Sequence, residues 1–317
     1  MTVHRIPLER RTLHGHFSRD LAPIVTIESG DTVAFSCLDA GWHLEPGRPF
    51  EPRDAELDAG HPLVGPIEIG GARAGQTLEV AIDRVVTCPW GWCRAGGWSS
   101  PLNDRLGLAD EGVLLRWELD VEHGVGRDDR GRELDLHPFL GVLGMPPREP
   151  GVHSTAPPRA SGGNIDCKEL IEGTRLLLPI PVDGALFSAG DCHARQGDGE
   201  VSQLGIECPV EHAELTLTVL DEPRLETPVA RTSEAWLTFG FDEDLDEAAA
   251  IAIDAMLELL GREHGLERAE ALALASLVVD LRVTQMVNGV RGVHALLPHG
   301  ALRFTAVAGE TADSSPP

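Results

Sequence analysis

The sequence predicts a mainly β protein with some α/β elements: a jelly-roll-like β-sandwich plus a C-terminal helical pair packed on β structure. Three observations carry this expectation. Short runs rich in β-branched residues recur over the first two-thirds of the 317 residues. Gly and Pro, 35 and 23 in number, punctuate them with turns. Helical periodicity appears only late in the chain. Strands spaced by turn residues are the pattern of a sandwich or jelly roll.

The strands begin with Ile24–Ile27 and Thr32–Cys37, parted by the turn signal Ser29-Gly30-Asp31. Gly65–Ile69, Leu78–Val86 and Val113–Val121 repeat the theme, and Leu176–Val182, Gly205–Cys208 and Ala213–Leu220 continue it. Glu214–Leu220 reads ELTLTVL, the period-two alternation of a strand with one buried face. Asp244 followed by Glu247 resembles a capping box. Ala248, Ile251, Ala252, Ala255, Met256 and Leu259 then recur at helical spacing, with Gly261 and Gly265 as the stop. Glu267–Val279 is expected as a second helix. Residues 1–155 are expected as an N-terminal β-rich domain and 156–308 as a motif-bearing β domain carrying the helices. The two would form one integrated unit, with 309–317 a disordered tail.

Composition narrows the function. Hydrophobic residues make up 42%, enough for a real core, but aromatics are only 4% and Tyr is absent. Val, Leu, Ile and Ala must fill the interior. The net charge of −25 argues against nucleic acid, whose phosphates require a basic surface. Its simplest meaning is a self-repelling, solvated surface. No stretch approaches the roughly 18 apolar residues of a membrane helix, and Met1–Leu13 is polar and Arg-rich, so a cytoplasmic protein is expected. The six cysteines form no CxxC pair and are expected as free thiols, with Cys88 and Cys93 in a structural turn. Trp90, Trp92 and Trp98 could wall an apolar pocket, although packing is the more usual role.

One segment stands apart. Within SGGNIDCKEL and GALFSAGDCHARQGDGEVSQLGIEC lie Asp166, Asp191, His193, Asp198, Glu200 and Glu207, set among glycines. Carboxylates gathered without a cation repel and are driven to take up protons. A divalent metal resolves that conflict, and a His among carboxylates suits zinc. Asp191 and His193 are two apart, as are Asp198 and Glu200, so on a strand each pair shares a face. A set of polar loops whose Asp side chains cap turns fits the composition equally well.

These segments resemble the signature of the acetamidase/formamidase family. So do FSRDLAPIVTIESGDTV with His14, GPIEIGGARAGQTLEVAI, HPFLGVLGMPP and DLRVTQMVNGVRGVHALLP, so the resemblance spans nearly the whole chain. It implies a usually oligomeric amidohydrolase of formamide, acetamide or similar small amides, β-rich and using a divalent metal such as zinc. Asp166, Asp191, His193, Asp198, Glu200, Glu207, Gln196 and Lys168 fall on motif positions. His61 departs from the family's Asn, and the loop from Gly41 to Pro52 matches poorly, which bears on substrate identity.

A metal-assisted route would meet the demands of amide hydrolysis: a strong nucleophile, a polarised carbonyl and a protonated nitrogen. The expected ligands are Asp166 and His193, then Asp191 and Glu207. Glu200 is expected as the acid/base with Asp198 as an orienting group. His14, Gln196, Asn164 and Lys168 are expected to bind substrate. Two alternatives stand: a cysteine-dependent amidase and a metal-binding β-sandwich without catalysis. Cys167 beside Lys168 and Cys192 beside His193 raise the first, but neighbours on a strand point to opposite faces.

Overall fold

The computed structural model describes residues 1–51 and 53–304. The expected tail at 309–317 lies outside the described residues. Two large sheets share one core. The nine-stranded sheet runs in the order Val3–Ile6, Asp31–Cys37, Val210–Leu220, Thr77–Thr87, Arg175–Pro179, Val229–Arg231, Ala235–Asp242, Val290–Pro298 and Asp280–Asn288. It is antiparallel except where Val3–Ile6 lies parallel to Asp31–Cys37. The second sheet centres on Phe187–His193, flanked by Phe139–Gly144 on one edge and by Glu207–Cys208 and Leu63–Ile69 on the other. Beyond Glu207–Cys208 come Trp90–Ala95 and Val113–Asp120.

Alternation explains the core. Ala213, Leu215 and Leu217 are fully buried along Val210–Leu220, while Glu214 and Thr216 between them and Thr218 after them are half-exposed. They meet Val33, Phe35, Leu78, Val80 and Ile82 from neighbouring strands and Ile67, Leu140, Leu143 and Phe187 from the second sheet. Full burial of each such side chain is worth about 1.5–3 kcal/mol. Each sheet draws strands from both sides of residue 155, so the two halves interleave within one core.

The long helix spans Leu245–His264. The Asp244 side chain accepts from the backbone N–H of Asp246 at 2.8 Å and of Glu247 at 3.3 Å, capping the first turn. The helix passes through Gly261 and stops at Gly265, whose φ of 69° is the left-handed conformation of a C-cap. Gly261 is therefore helical, not part of the stop. A second helix, Arg268–Val278, follows. Ala248, Ala252, Met256, Leu260 and Ala271 pack against Val293, Ala295 and Leu297 of the C-terminal hairpin, the expected seat of the helical pair on β structure.

One strand end falls short of expectation, and a proline divides two strands where expected. Arg175–Pro179 stops before Val182, because Pro179 and Pro181 offer no N–H to the ladder. Glu207–Cys208 is interrupted by Pro209 before Val210 resumes. The C-terminal hairpin turns at Asn288-Gly289, an Asn-Gly signal between two β-rich runs. Cys88 precedes, and Cys93 lies within, the strand Trp90–Ala95, and all six cysteines are free. Among the described residues no helix is long and apolar enough to cross a membrane.

Candidate active site

The centre of the second sheet is polar where a core should be apolar. Asp191 and His193 sit at the end of Phe187–His193, and Glu207 pairs directly across from His193. Asp166 and Glu200 arrive from two turns. All five are at least 95% buried. His193 Nε2 lies 3.1 Å from Glu207 Oε1 and 3.7 Å from Asp191 Oδ1. Two triads, Asp166–Asp191–His193 and His193–Glu200–Glu207, each hold three potential ligand atoms within 4.8 Å of one another. Four carboxylate oxygens have no hydrogen-bond partner: Asp166 Oδ1, Asp191 Oδ1, Glu200 Oε2 and Glu207 Oε2. Buried polar atoms are ordinarily paired, so this convergence marks a site.

The backbone is bent to achieve it. Seven non-glycine residues among those described have positive φ, and three of them are Asp166 (52°), Asp191 (60°) and Glu200 (45°). Side chains other than Gly adopt this region reluctantly, and such outliers gather at functional sites. Gly141, on Phe139–Gly144, is the floor between two carboxylates. A Cβ there would lie 2.6 Å from Asp166 Oδ1 and 2.7 Å from Asp191 Oδ2. Its carbonyl also accepts from the Asp166 N–H at 3.2 Å.

The electrostatics follow from burial. Desolvation pushes Asp166 up to about 7, against the pull of His193 and with the repulsion of Asp191. Glu200 is raised well above the carboxylate range by burial and then by Asp166. Burial also raises Glu207, with His193 opposing. Asp191 is the exception: burial raises it, but His61 and His193 outweigh that and bring it down to about 2. For His193 burial works toward the neutral ring, yet Glu207 and Asp191 hold its pKa well above the ordinary value. The cluster thus retains protons wherever a cation does not replace them.

Supporting contacts fix these groups. The Gln196 Nε2 donates to the Asp166 carbonyl at 2.8 Å, which turns its Oε1 toward His193 Nδ1, 2.6 Å away. His193 therefore donates from Nδ1 and faces the carboxylates with Nε2. Asn288 Nδ2 donates to Asp166 Oδ2 at 2.8 Å. The buried Gln285 holds Asn288 in turn, accepting from its N–H at 3.2 Å and donating to the Val290 carbonyl at 2.8 Å. The Glu200 loop is clipped to the same strand through Gly199 N–H to the Thr284 carbonyl and Met286 N–H to the Gly199 carbonyl.

The other expected site residues lie around this centre rather than in it. Asp198 and Glu200 do not share a face, because residues 196–203 form turns instead of a strand. Glu200 points in, and Asp198 forms an ion pair at 2.7 Å with Lys168, the sole lysine. Asn164 is buried, donating to the Ala156 carbonyl while its Oδ1 lacks a partner. His14 has both ring nitrogens engaged, with the His16 carbonyl at 2.6 Å and Ser188 Oγ at 3.0 Å. Trp90, Trp92 and Trp98 line a cavity of about 680 Å³ with Asp39 and Arg116, and Trp92 pairs across from Glu207. Cys167 and Cys192 are fully buried.

Sequence reasoning gave no site role to Asn288 or Gly141, and tied His61 only to substrate identity. The Asn-Gly pair is a turn signal that could have placed Asn288 at a hairpin tip, but nothing local points it at Asp166. His61 was visible as a departure, and its imidazole bears on Asp166, Asp191 and Glu207.

The chain is similar to known proteins along most of its length. The chain is 49% identical to the acetamidase of Mycolicibacterium smegmatis over 61% of this chain and 62% of that protein. It is 27% identical to the formamidase of Methylophilus methylotrophus over 64% of each. The chain thus spans less than two thirds of the length of these curated relatives. The crystal structure of an acetamidase from Bacillus halodurans matches with a TM-score of 0.81 and 29% identity, over 93% of this chain and 97% of that one. The sequence profile of the Acetamidase/Formamidase family matches residues 3–150 and 148–300, and the chain belongs to that family.

Proposed function

We propose that the chain is a metal-dependent amidohydrolase that cleaves a small aliphatic carboxamide, of the formamide or acetamide type, to the carboxylate and ammonia. The observation that carries this reading is the set of four unpartnered carboxylate oxygens converging on His193 in a buried centre. Membership of the family supports the amide as substrate. One imidazole among carboxylates is a donor set for a divalent ion, zinc first. Asp166, Asp191, His193 and Glu207 would hold it. When bound, such an ion polarises a carbonyl and lowers the pKa of water to about 7.

The chain's own residues do the remainder. Glu200 carries the proton: it accepts one from the attacking water and delivers it to nitrogen as the C–N bond breaks. Burial, and after it Asp166, raise this carboxyl well above its ordinary range, which makes its carboxylate the stronger base for the water proton. Gln196 positions His193, and Asn288 positions Asp166. Asp198, paired with Lys168, steadies the turn that presents Glu200. The free Asn164 Oδ1 is suited to accept an amide N–H. His14 supports Ser188 and with it the central strand. The family resemblance also carries a homo-oligomer.

The deciding experiment is ammonia release across amides of increasing size, with ureas and cyclic imides, before and after chelation and zinc readdition. Turnover of short amides that is lost on chelation and restored by zinc is expected. Turnover that survives complete metal removal would overturn the metal route. A metal-loaded protein that turns over no amide would reduce the chain to a binding module.

A further inference from the structure

A second group of donors lies next to the first along the chain. Cys167 Sγ donates to Glu169 Oε2 at 3.2 Å, and His294 Nε2 lies 3.8 Å from the same oxygen. All three potential ligand atoms fall within 4.8 Å of one another. Cys167 and His294 are fully buried. His294 Nδ1 is bonded to Thr284 Oγ1 at 2.8 Å, and its Nε2 has no hydrogen-bond partner.

That nitrogen is unsatisfied in either tautomer. With a proton, it is a buried donor too far from Glu169 Oε2 for a hydrogen bond. Without one, its lone pair faces a carboxylate oxygen. A cation between the two removes the conflict. The spacing fits: bonds of about 2.0 Å to N and O and 2.3 Å to S give tetrahedral edges of about 3.3–3.5 Å. The observed 3.2 and 3.8 Å straddle those edges. Arg282 Nη1 at 3.0 Å and Lys168 Nζ at 3.9 Å occupy Glu169 Oε1, leaving Oε2 free to ligate. Binding releases the thiol proton to solvent, so the Cys167 thiolate supplies a negative ligand beside the Glu169 Oε2. A cleft of about 480 Å³ reaches Lys168 and Glu169 at the edge of the group.

We propose that Cys167, Glu169 and His294 form a second metal site for a thiophilic divalent ion such as zinc. Thiolate and imidazole donors select zinc over calcium or magnesium. Such an ion ties the segment carrying Asp166 to the C-terminal hairpin, from which Asn288 reaches Asp166. Its role is to fix that segment.

The test uses the full chain loaded with cobalt(II), whose thiolate-to-metal charge-transfer absorption in the near ultraviolet reports a sulfur ligand. The carboxylate triads contain no sulfur, so a band that is lost in Cys167→Ser belongs to this site. The wild type is expected to show the band and to bind two metals per chain. Cys167→Ser and His294→Ala should each abolish the band and remove one metal. Asp191→Asn should keep the band while weakening metal at the carboxylate centre. A cobalt-loaded wild type without the band, or a band that survives Cys167→Ser, overturns the proposal. One metal per chain with the band present would instead uphold this site and sink the metal-dependent reading of the carboxylate centre.

Discussion

Replacing Gly141 with Ala tests the geometry of the centre with a single methyl group. The new Cβ would lie 2.6 Å from Asp166 Oδ1 and 2.7 Å from Asp191 Oδ2, where ordinary contact begins at 3.4 Å. The two oxygens must therefore retreat by about 0.8 and 0.7 Å. Neither can swing away freely: Asn288 holds the other oxygen of Asp166, and both residues are buried. Overpacking of this size costs about 1–3 kcal/mol of stability. A displacement approaching 1 Å at a catalytic centre costs about 10²-fold in rate. The variant should thus fold, melt at a modestly lower temperature and lose about 10²-fold in kcat/KM for a short amide. The assay is the initial rate of ammonia release below KM, beside metal content and a circular-dichroism melt. A folded variant with wild-type kcat/KM and full metal content would refute the claim that Asp166 and Asp191 act together across Gly141.

Two further perturbations probe different links. Glu200→Gln should keep its metal and lose about 10²–10⁴-fold in kcat, since the amide cannot cycle a proton; a loss below about tenfold would pass the proton to another carboxylate. His14 is fully buried and desolvation lowers its pKa from 6.5 to about 4. The folded ring stays neutral while the unfolded ring protonates, so stability falls as pH drops from 6.5 to 4, by about 3 kcal/mol. Urea unfolding of His14→Asn across that range should show a shallower slope than the wild type; parallel profiles would show that His14 carries no linkage.

Much of this was legible in the sequence, for identifiable reasons. Asp191 and His193 could be placed together because two residues on a strand share a face, and both reach the cluster from Phe187–His193. Ala248 to Leu259 announced the helix through periodicity, and Asp244 its start. The illegible parts depend on distant chain. The strand Phe187–His193 reads FSAGDCH, with Ser, Gly and Asp where strand formers are expected, and only its burial on all sides makes it the centre of a sheet. Asn288 is 122 residues from Asp166, and only the pairing of the C-terminal hairpin brings them together. Asp198 and Glu200 misled because the period-two argument needs extended backbone, which the glycine-rich turn does not supply. Gly261 misled because a glycine in a helix costs only about 1 kcal/mol, which buried Leu259 and Leu260 beside it readily outweigh.

The left-handed backbone at Asp166, Asp191 and Glu200 has a consequence for how this sequence can change. Glycine would be more comfortable at each position, relieving about 1–2 kcal/mol of conformational strain and also removing a desolvated charge. A population of variants sorted only for resistance to heat would therefore drift toward glycine at these three places and shed its chemistry as it hardened. Selection on growth with an amide as the nitrogen source would pull the other way. The three carboxylates are positions where robustness and the proposed activity are opposed, so natural descendants that have lost that activity should be recognisable by glycine there.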